Sequence, residues 1–304
     1  MARILTIGIA TLDIINSVDG FPNEDDEVRA TSQELRRGGN ASNTAVVLAQ
    51  LGHNCVWAGS LADDASSEII RADLTACGIK LDAVQTVRDG RAPTSYVTLN
   101  QQNGSRTIVH YRDLPEYGFE QFQQIDLSGF DWLHFEGRNV QETRVMLDHV
   151  QQHAPAMPVS VEIEKPRPDI ETLCVGVDLL LYSRSYVQQS RLQRKGAMSK
   201  TAICKNPVAF LQAQHDALPM AEHTCTWGEE GAWGINSKGE LFHASAQSVH
   251  HVVDTLGAGD TFNAGMIHGK LAGLGLRDCL REACQLAGEK CAQQGLHGLR
   301  PYPL

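Results

Sequence analysis

A chain of 304 residues and 33.2 kDa, 42% hydrophobic and 20% charged, has enough apolar material for a large buried core and none of the charge excess of a disordered segment. Its formal charge of −10 is spread along the sequence, with no basic block beyond Arg36-Arg37, which argues against nucleic acid or an anionic membrane as the main partner. Eight cysteines without a C-x-x-C pair argue against zinc and against a secreted disulfide scaffold, so a reduced, cytoplasmic setting is expected.

Residues Ile4 to Ile9 are nearly all apolar, the pattern of a strand covered on both faces in a parallel sheet rather than of a signal peptide. No apolar run in the chain is long enough to span a bilayer. Asp13 lies just beyond this first strand. Ligands of open α/β sheets collect past the carboxyl ends of strands, so Asp13 reads either as a polyol acceptor or as a plain turn residue. Ile14–Val18 and Glu27–Thr31 read as short strands around the turn Gly20-Phe21-Pro22-Asn23. Arg37-Gly38-Gly39-Asn40-Ala41-Ser42-Asn43 then opens a helix that runs to Leu51 and stops at Gly52. The paired glycines allow close approach to the main chain, and Asn40 and Asn43 each carry a donor and an acceptor suited to sugar hydroxyls, although Asn40 or Ser42 also reads as an N-cap.

A strand at Cys55–Gly59 and a helix at Ala65–Cys77 are followed by a change of character. Thr94–Asn100 and Ser105–Tyr111 flank Asn103-Gly104 and predict a β-hairpin; with the early strands it forms a lid built from about residues 12–35 and 92–112. Arg106 on the hairpin is either a solvated edge charge or a phosphate clamp. Strands are expected at Trp132–Phe135, Val159–Ile163 and Leu179–Tyr182, and helices at Gln141–Gln151 and Asn206–Ala217. The stretch from Ser183 to Lys205 carries no readable pattern. A final helix over Asp278–Gln294 places Cys284, Gly288 and Cys291 on one face, as an adenine slot or as ordinary packing. His134-x-Glu136 lacks the P-C-x-x-C of zinc deaminases, and His250-His251 lacks a third ligand at metal spacing.

The run from Val253 to Gly265, V-D-T-L-G-A-G-D-T-F-N-A-G, carries the chemistry. Gly257, Ala258 and Gly259 leave the backbone bare at the start of a helix, where N–H groups and about half a positive charge from the helix dipole converge. Asp260, in the first turn, can orient and deprotonate a hydroxyl beside that anion pocket, the layout of in-line phosphoryl transfer. On G-A-G-D alone, a tight turn with an N-terminal acid is an equal reading.

The longer string D-T-x-G-A-G-D-T-F-x-A-G resembles the C-terminal signature of the ribokinase-like (PfkB) carbohydrate kinases, and G-G-x-x-x-N at residues 38–43 resembles their N-terminal signature. Further strings in the same order, G-S-R-T-I, F-E-G-R-N, V-E-I-E-K-P-R, T-x-G-x-x-G at Thr226–Gly231 and A-G-E-K-C-A-Q-Q-G, extend the resemblance over nearly the whole chain, toward the branch acting on ketohexoses. It implies one three-layer α/β/α domain over residues 1–304, with a mostly parallel central sheet and the β-lid. The implied activity is transfer of the γ-phosphoryl of ATP to a ketohexose hydroxyl, D-fructose to fructose 1-phosphate first. A kinase of another small sugar or a nucleoside, or a non-catalytic sugar-binding protein, stands as the alternative.

By the same resemblance Asp260 is the base and Gly257, Ala258 and Gly259 form the anion hole. Asp13, Gly39, Asn40 and Asn43 hold the sugar, while Asp25 reaches the sugar of a partner subunit. Arg106, Thr226, Gly228, Gly231 and Cys284 lie along the nucleotide, and the lid doubles as a homodimer clasp. Mg²⁺ accompanies ATP, with K⁺ a further candidate. One departure concerns the metal: many members carry N-x-x-E where this chain has Ser183-Arg184-Ser185-Tyr186. That leaves Glu162, Glu164 and Asp254 as candidates to hold Mg²⁺, through water.

Overall fold

Short strands buried on both faces set the architecture. The structure is a computed structural model in which residues 1–190 and 205–299 are described. In chain order the first half comprises β1 (Arg3–Ile7), β2 (Thr11–Val18), β3 (Ser32–Gly38), α1 (Asn40–Gln50), β4 (Asn54–Ala58), β5 (Ser60–Ala62), α2 (Ala65–Ala76), β6 (Gln85–Val87), β7 (Thr94–Asn100) and β8 (Arg106–Tyr111). Then follow α3 (Phe119–Phe122), β9 (Trp132–Glu136), α4 (Val140–His153), β10 (Val159–Ile163), β11 (Leu179–Tyr182), α5 (Arg184–Gln189) and α6 (Pro207–Ala217). The chain closes with β12 (Glu222–Thr226), β13 (Ala232–Ile235), β14 (Leu241–Ala244), α7 (Ala258–Leu271) and α8 (Leu276–Cys291).

The main sheet has the order β14-β13-β12-β11-β10-β9-β1-β4, parallel from β4 through β12 and antiparallel at β13 and β14. Successive residues point to opposite faces. Ile4, Leu179 and Leu181 join Val47, Leu48, Met266, Ile267 and Leu280 of the layer of α1, α7 and α8. Leu5, Leu133, Phe135, Val161 and Leu180 instead meet Met146, Leu147 and Phe210 of α4 and α6. Helices on both faces explain why these strands are buried almost end to end and mostly apolar. This is the expected α/β sandwich. No helix among the described residues is long and apolar enough to cross a membrane.

The chain steps from β1 outward to β4 and later resumes on the other side of β1 with β9. Such a reversal opens a crevice at the carboxyl ends of the two strands that flank it. Over that crevice lies a second sheet, ordered β3-β2-β7-β8, in which β2 pairs with β7 in parallel and the outer pairs are antiparallel.

Two expectations shift here. The second lid strand spans Ser32–Gly38 rather than Glu27–Thr31, because Thr11 to Ser17 pair with Gly38 back to Ser32 and the charged residues before Ser32 stay exposed. Asp13 therefore belongs to β2 itself, opposite Arg36 on one side and Ser95 on the other, and is not a turn residue. Elsewhere boundaries move by up to three residues; Asn206, for example, caps α6 through Val208 and Ala209 with Pro207 in the first turn. The stretch without sequence pattern contains α5, and residues 191–204 lie outside the described part.

Candidate active site

Two helix starts meet at the crevice. At the first, Gly39 precedes α1 with φ +101°, and a Cβ there would sit 2.3 Å from the Ile9 carbonyl oxygen, so only glycine lets the chain pass this close to the end of β1. Glu136, the last residue of β9, ties this corner: its Oε2 accepts from the Ile9 amide at 3.0 Å and the Ala41 amide at 3.3 Å. At the second, Gly257 takes φ +81° and turns the chain into α7 with Ala258, Gly259 and Asp260 in its opening turn.

Side chains join the two starts. Asn43 Nδ2 donates to Asp260 Oδ2 at 2.6 Å, and Thr44 Oγ1 donates to the Asp260 carbonyl at 3.4 Å. Asn43 is itself oriented from behind, because Arg37 Nη1 donates to its Oδ1 at 2.6 Å while Arg37 Nε meets Asp73 at 2.6 Å. Glu162, at the end of β10, accepts from Asn40 Nδ2 and Asn263 Nδ2, each at 3.1 Å. The asparagines thus hold carboxylates of α7 and β10 around one spot; Asn43, Asn263, Glu162 and Asp260 are buried, and Asn40 is partly exposed.

Burial dominates the electrostatics. It pushes the Asp260 carboxyl up to about 7; the Asn43 amide pulls the other way, and Glu164 and Glu136 add repulsion. Glu162 is driven well above the usual carboxylate range by burial and then by Asp260, Glu136 and Glu164. Glu136 is raised by burial against the pull of Arg138, which bridges to Glu116 at 2.9 Å. Asp254 behaves differently: burial would raise it, but hydrogen bonds from the Leu256 and Gly295 amides and the Lys290 ammonium hold it below its ordinary value.

A cleft of about 770 Å³ lies between the sheet's carboxyl edge and the lid. It is lined by Asp13, Gly39, Asn40, Asn43, Arg106, Glu162, Glu164, Thr226, Gly257, Gly259 and Asp260, so most of the expected residues converge. Arg106 reaches across from β8, its Nη1 donating to Thr255 Oγ1 at 2.9 Å. The others stand apart. Ala258 follows the helix start without lining the cleft, and Asp25 sits exposed in the β2–β3 connection with φ +66°. Asp254 lies behind the loop, shared by Arg36 at 2.8 Å and Lys290 at 3.0 Å. Gly228 and Gly231 bound the short turn between β12 and β13, and Cys284 is buried with its Sγ 3.7 Å from the Ala244 carbonyl oxygen, on the packed side of α8.

Three residues were not singled out from sequence as functional. Glu136 closes a buried strand in which His134 is the other ionisable residue, Arg37 precedes the glycine pair, and Asn263 follows Asp260 by three residues on a buried helix; a polar break in a buried element was the available signal for Glu136 and Asn263, and Arg37, in a polar stretch, carried none.

The chain matches the profile of the pfkB family carbohydrate kinases over residues 1–301. It is 38% identical to the ketohexokinase of Mus musculus over 305 aligned residues, which cover 98% of each protein. Among solved structures it is similar to the ribokinase of Arabidopsis thaliana complexed with ribose and ATP, with a TM-score of 0.76 at 19% identity over 97% of this chain and 95% of that one. It is likewise similar to the ribokinase of Cryptococcus neoformans in complex with ADP, with a TM-score of 0.76 at 18% identity over 99% and 97% of the two chains. At those identities the structures speak for the fold. The profile's span leaves the lid, both helix starts and Asp260 inside the matched region, and the chain belongs to the pfkB family of carbohydrate kinases, phosphotransferases that use an alcohol group as acceptor.

Proposed function

We propose that this protein is an ATP-dependent ketohexokinase that phosphorylates D-fructose on its 1-hydroxyl. The observation that carries the reading is the 2.6 Å contact between Asn43 and Asp260, which joins the start of α1, proposed to bind the sugar, to the start of α7, proposed to bind the phosphoryl group. The full-length identity to a mouse ketohexokinase supports the choice of sugar.

In this reading fructose lies beneath the lid, its hydroxyls meeting Asp13, Asn40, Asn43 and the Gly39 backbone. The attacking hydroxyl donates to Asp260. As the new O–P bond forms and the bond to the leaving ADP oxygen breaks, that hydroxyl's proton passes to the Asp260 carboxylate. The amides opening α7 at Gly257–Gly259 take up charge spreading over the transferred phosphoryl oxygens, and Arg106 adds a clamp when the lid closes. The nucleotide runs from these amides past Thr226 toward the turn bounded by Gly228 and Gly231. Cys284, on the packed side of α8, is left to shape that wall from behind.

The residues present fit a Mg²⁺ ion. Glu162 and Glu164 face the same cleft as Asp260, and burial plus mutual repulsion raises Glu162, a strain that a nearby dication relieves. When bound, the ion neutralises the phosphates of ATP. Asp254, held by two cations and two amides, anchors the loop instead of holding metal. Asp25 lies away from its own cleft, where a partner subunit's sugar would meet it.

The test is an ADP-release assay across D-fructose, tagatose, ribose, adenosine and fructose 6-phosphate, with the product identified by phosphorus NMR. Fructose is expected to give the highest kcat/KM and fructose 1-phosphate the product. A higher value for ribose or adenosine would reassign the substrate, and no sugar-dependent turnover at all would leave only a binding role.

A further inference from the structure

The cysteine spacing argued against zinc, yet folding gathers a ligand set that no spacing shows. Asp73 and Cys77 stand four residues apart at the end of α2 and so share one face of it, and His297 arrives from the segment after α8. One ligand atom from each residue lies within 4.8 Å of the other two. His297 is not on a loose tail: the Gln50 amide donates to the Leu296 carbonyl at 2.7 Å and accepts from the Leu299 amide at 3.1 Å, fixing the backbone on both sides of it. Cys77 is a free, half-buried thiol.

We propose that Asp73, Cys77 and His297 form a binding site for a thiophilic divalent cation of the zinc class, and that filling it slows phosphoryl transfer. Tetrahedral zinc, with bonds of about 2.0–2.3 Å, places its ligand atoms about 3.5 Å apart, so modest side-chain rotations close the set. One sulfur, one imidazole nitrogen and one carboxylate oxygen suit zinc and discriminate against magnesium and calcium, which take oxygen alone. The Cys77 thiol gives its proton to solvent as the metal–sulfur bond forms, and water completes the fourth position.

The site connects to the catalytic centre in three contacts, each of 2.6 Å: Asp73 to Arg37, Arg37 to Asn43, and Asn43 to Asp260. The Arg37 side chain is 4% exposed, so little else is available to it when a dication competes for Asp73. Arg37 then loosens Asn43, and Asn43 loosens the carboxylate. This second half rests on Asp260 being the base; the binding site does not.

The two halves are separable with full-length protein. Titrated with Co²⁺, the wild type is expected to show a thiolate-to-cobalt charge-transfer band, lost in Cys77→Ser and weakened at least tenfold in affinity in His297→Ala. No band, or an equal band in Cys77→Ser, overturns the site. Under saturating Mg·ATP and sugar, the Zn²⁺ concentration for half-inhibition is expected to rise at least tenfold in Cys77→Ser, whose turnover without zinc matches wild type. Equal inhibition of both proteins overturns the coupling. Absence of turnover in every protein would tell against the kinase reading alone, and the cobalt band would still decide the site.

Discussion

In the proposed reaction Asp260 serves as the base, and its burial is what fits it to that role. A carboxyl held near 7 is half-ionised close to neutral pH, which matches a general base to its task. In the free enzyme, kcat/KM for the sugar is expected to fall tenfold per pH unit below about 7, read from a pH profile of the ADP-release assay. Asp260→Asn should bind both substrates and lose about two to four orders of magnitude in kcat. Near wild-type turnover would remove Asp260 from the mechanism. The same group sets a stability signature. Its folded value is raised above the unfolded one, so the contribution is fully present below about pH 4 and is lost as pH rises through about 7. Relative to wild type, Asp260→Asn should be nearly neutral at pH 4 and more stable by roughly 2–4 kcal/mol at pH 8.5, in paired urea titrations. A gain of the same size at both pH values would mean that burial of charge is not what raises this group. Asp260 was legible because its motif is local in sequence. What raises it was less so: burial follows from the fold, Glu164 was read from sequence only as a metal candidate, and Glu136 comes near only through sheet pairing.

The elements teach the same lesson from their starts. Two glycines at the two helix starts have opposite requirements. At Gly39 a methyl would collide with the Ile9 carbonyl in a backbone conformation that disfavours side chains, so Gly39→Ala should cost about 2 kcal/mol or more and sharply weaken sugar binding. At Gly259 a Cβ meets nothing within 4 Å and the residue is helical, so Gly259→Ala should raise stability by up to about 1 kcal/mol. Gly259 lines the cleft beside the amides proposed to bind the phosphoryl group, so turnover should fall even as the protein gains stability. Thermal melts and the kinase assay on the two variants separate these outcomes; an active, unstable Gly259→Ala would contradict the placement. Helix starts and apolar strands were readable because glycine, caps and periodicity act within a few residues. β3 was misplaced by about five residues because Ser-Gln-Glu-Leu-Arg-Arg carries little strand signal of its own and becomes a strand by pairing with β2.

At the scale of the whole molecule, the sheet order and the reversal at β1 were not written in any local pattern, and they decide that Asp13, Asn43, Glu162 and Asp260 share one cleft. The lid was legible as an extra hairpin, but its two faces become distinct only through register. Asp13, Ser95 and His110 pair across three strands and line the cleft. The neighbouring row, Leu35, Ile14, Tyr96 and Val109, crosses all four strands on the opposite face, and Leu35, Tyr96 and Val109 stand 51%, 50% and 65% exposed. An apolar stripe of that extent on a sheet face calls for a cover, and a second copy of the same lid supplies one of matching shape and chemistry. It would also bring Asp25, exposed in the adjoining connection, toward the other subunit's cleft. The protein is therefore expected to run as a dimer in light scattering coupled to gel filtration, and the pair Tyr96→Glu and Val109→Glu to convert it to a folded monomer with weaker sugar binding. Asp25→Ala should weaken sugar binding while leaving the dimer intact. A wild type that is monomeric at tens of micromolar, or a double variant that keeps the dimer mass, would show that the stripe is covered by something other than a second lid.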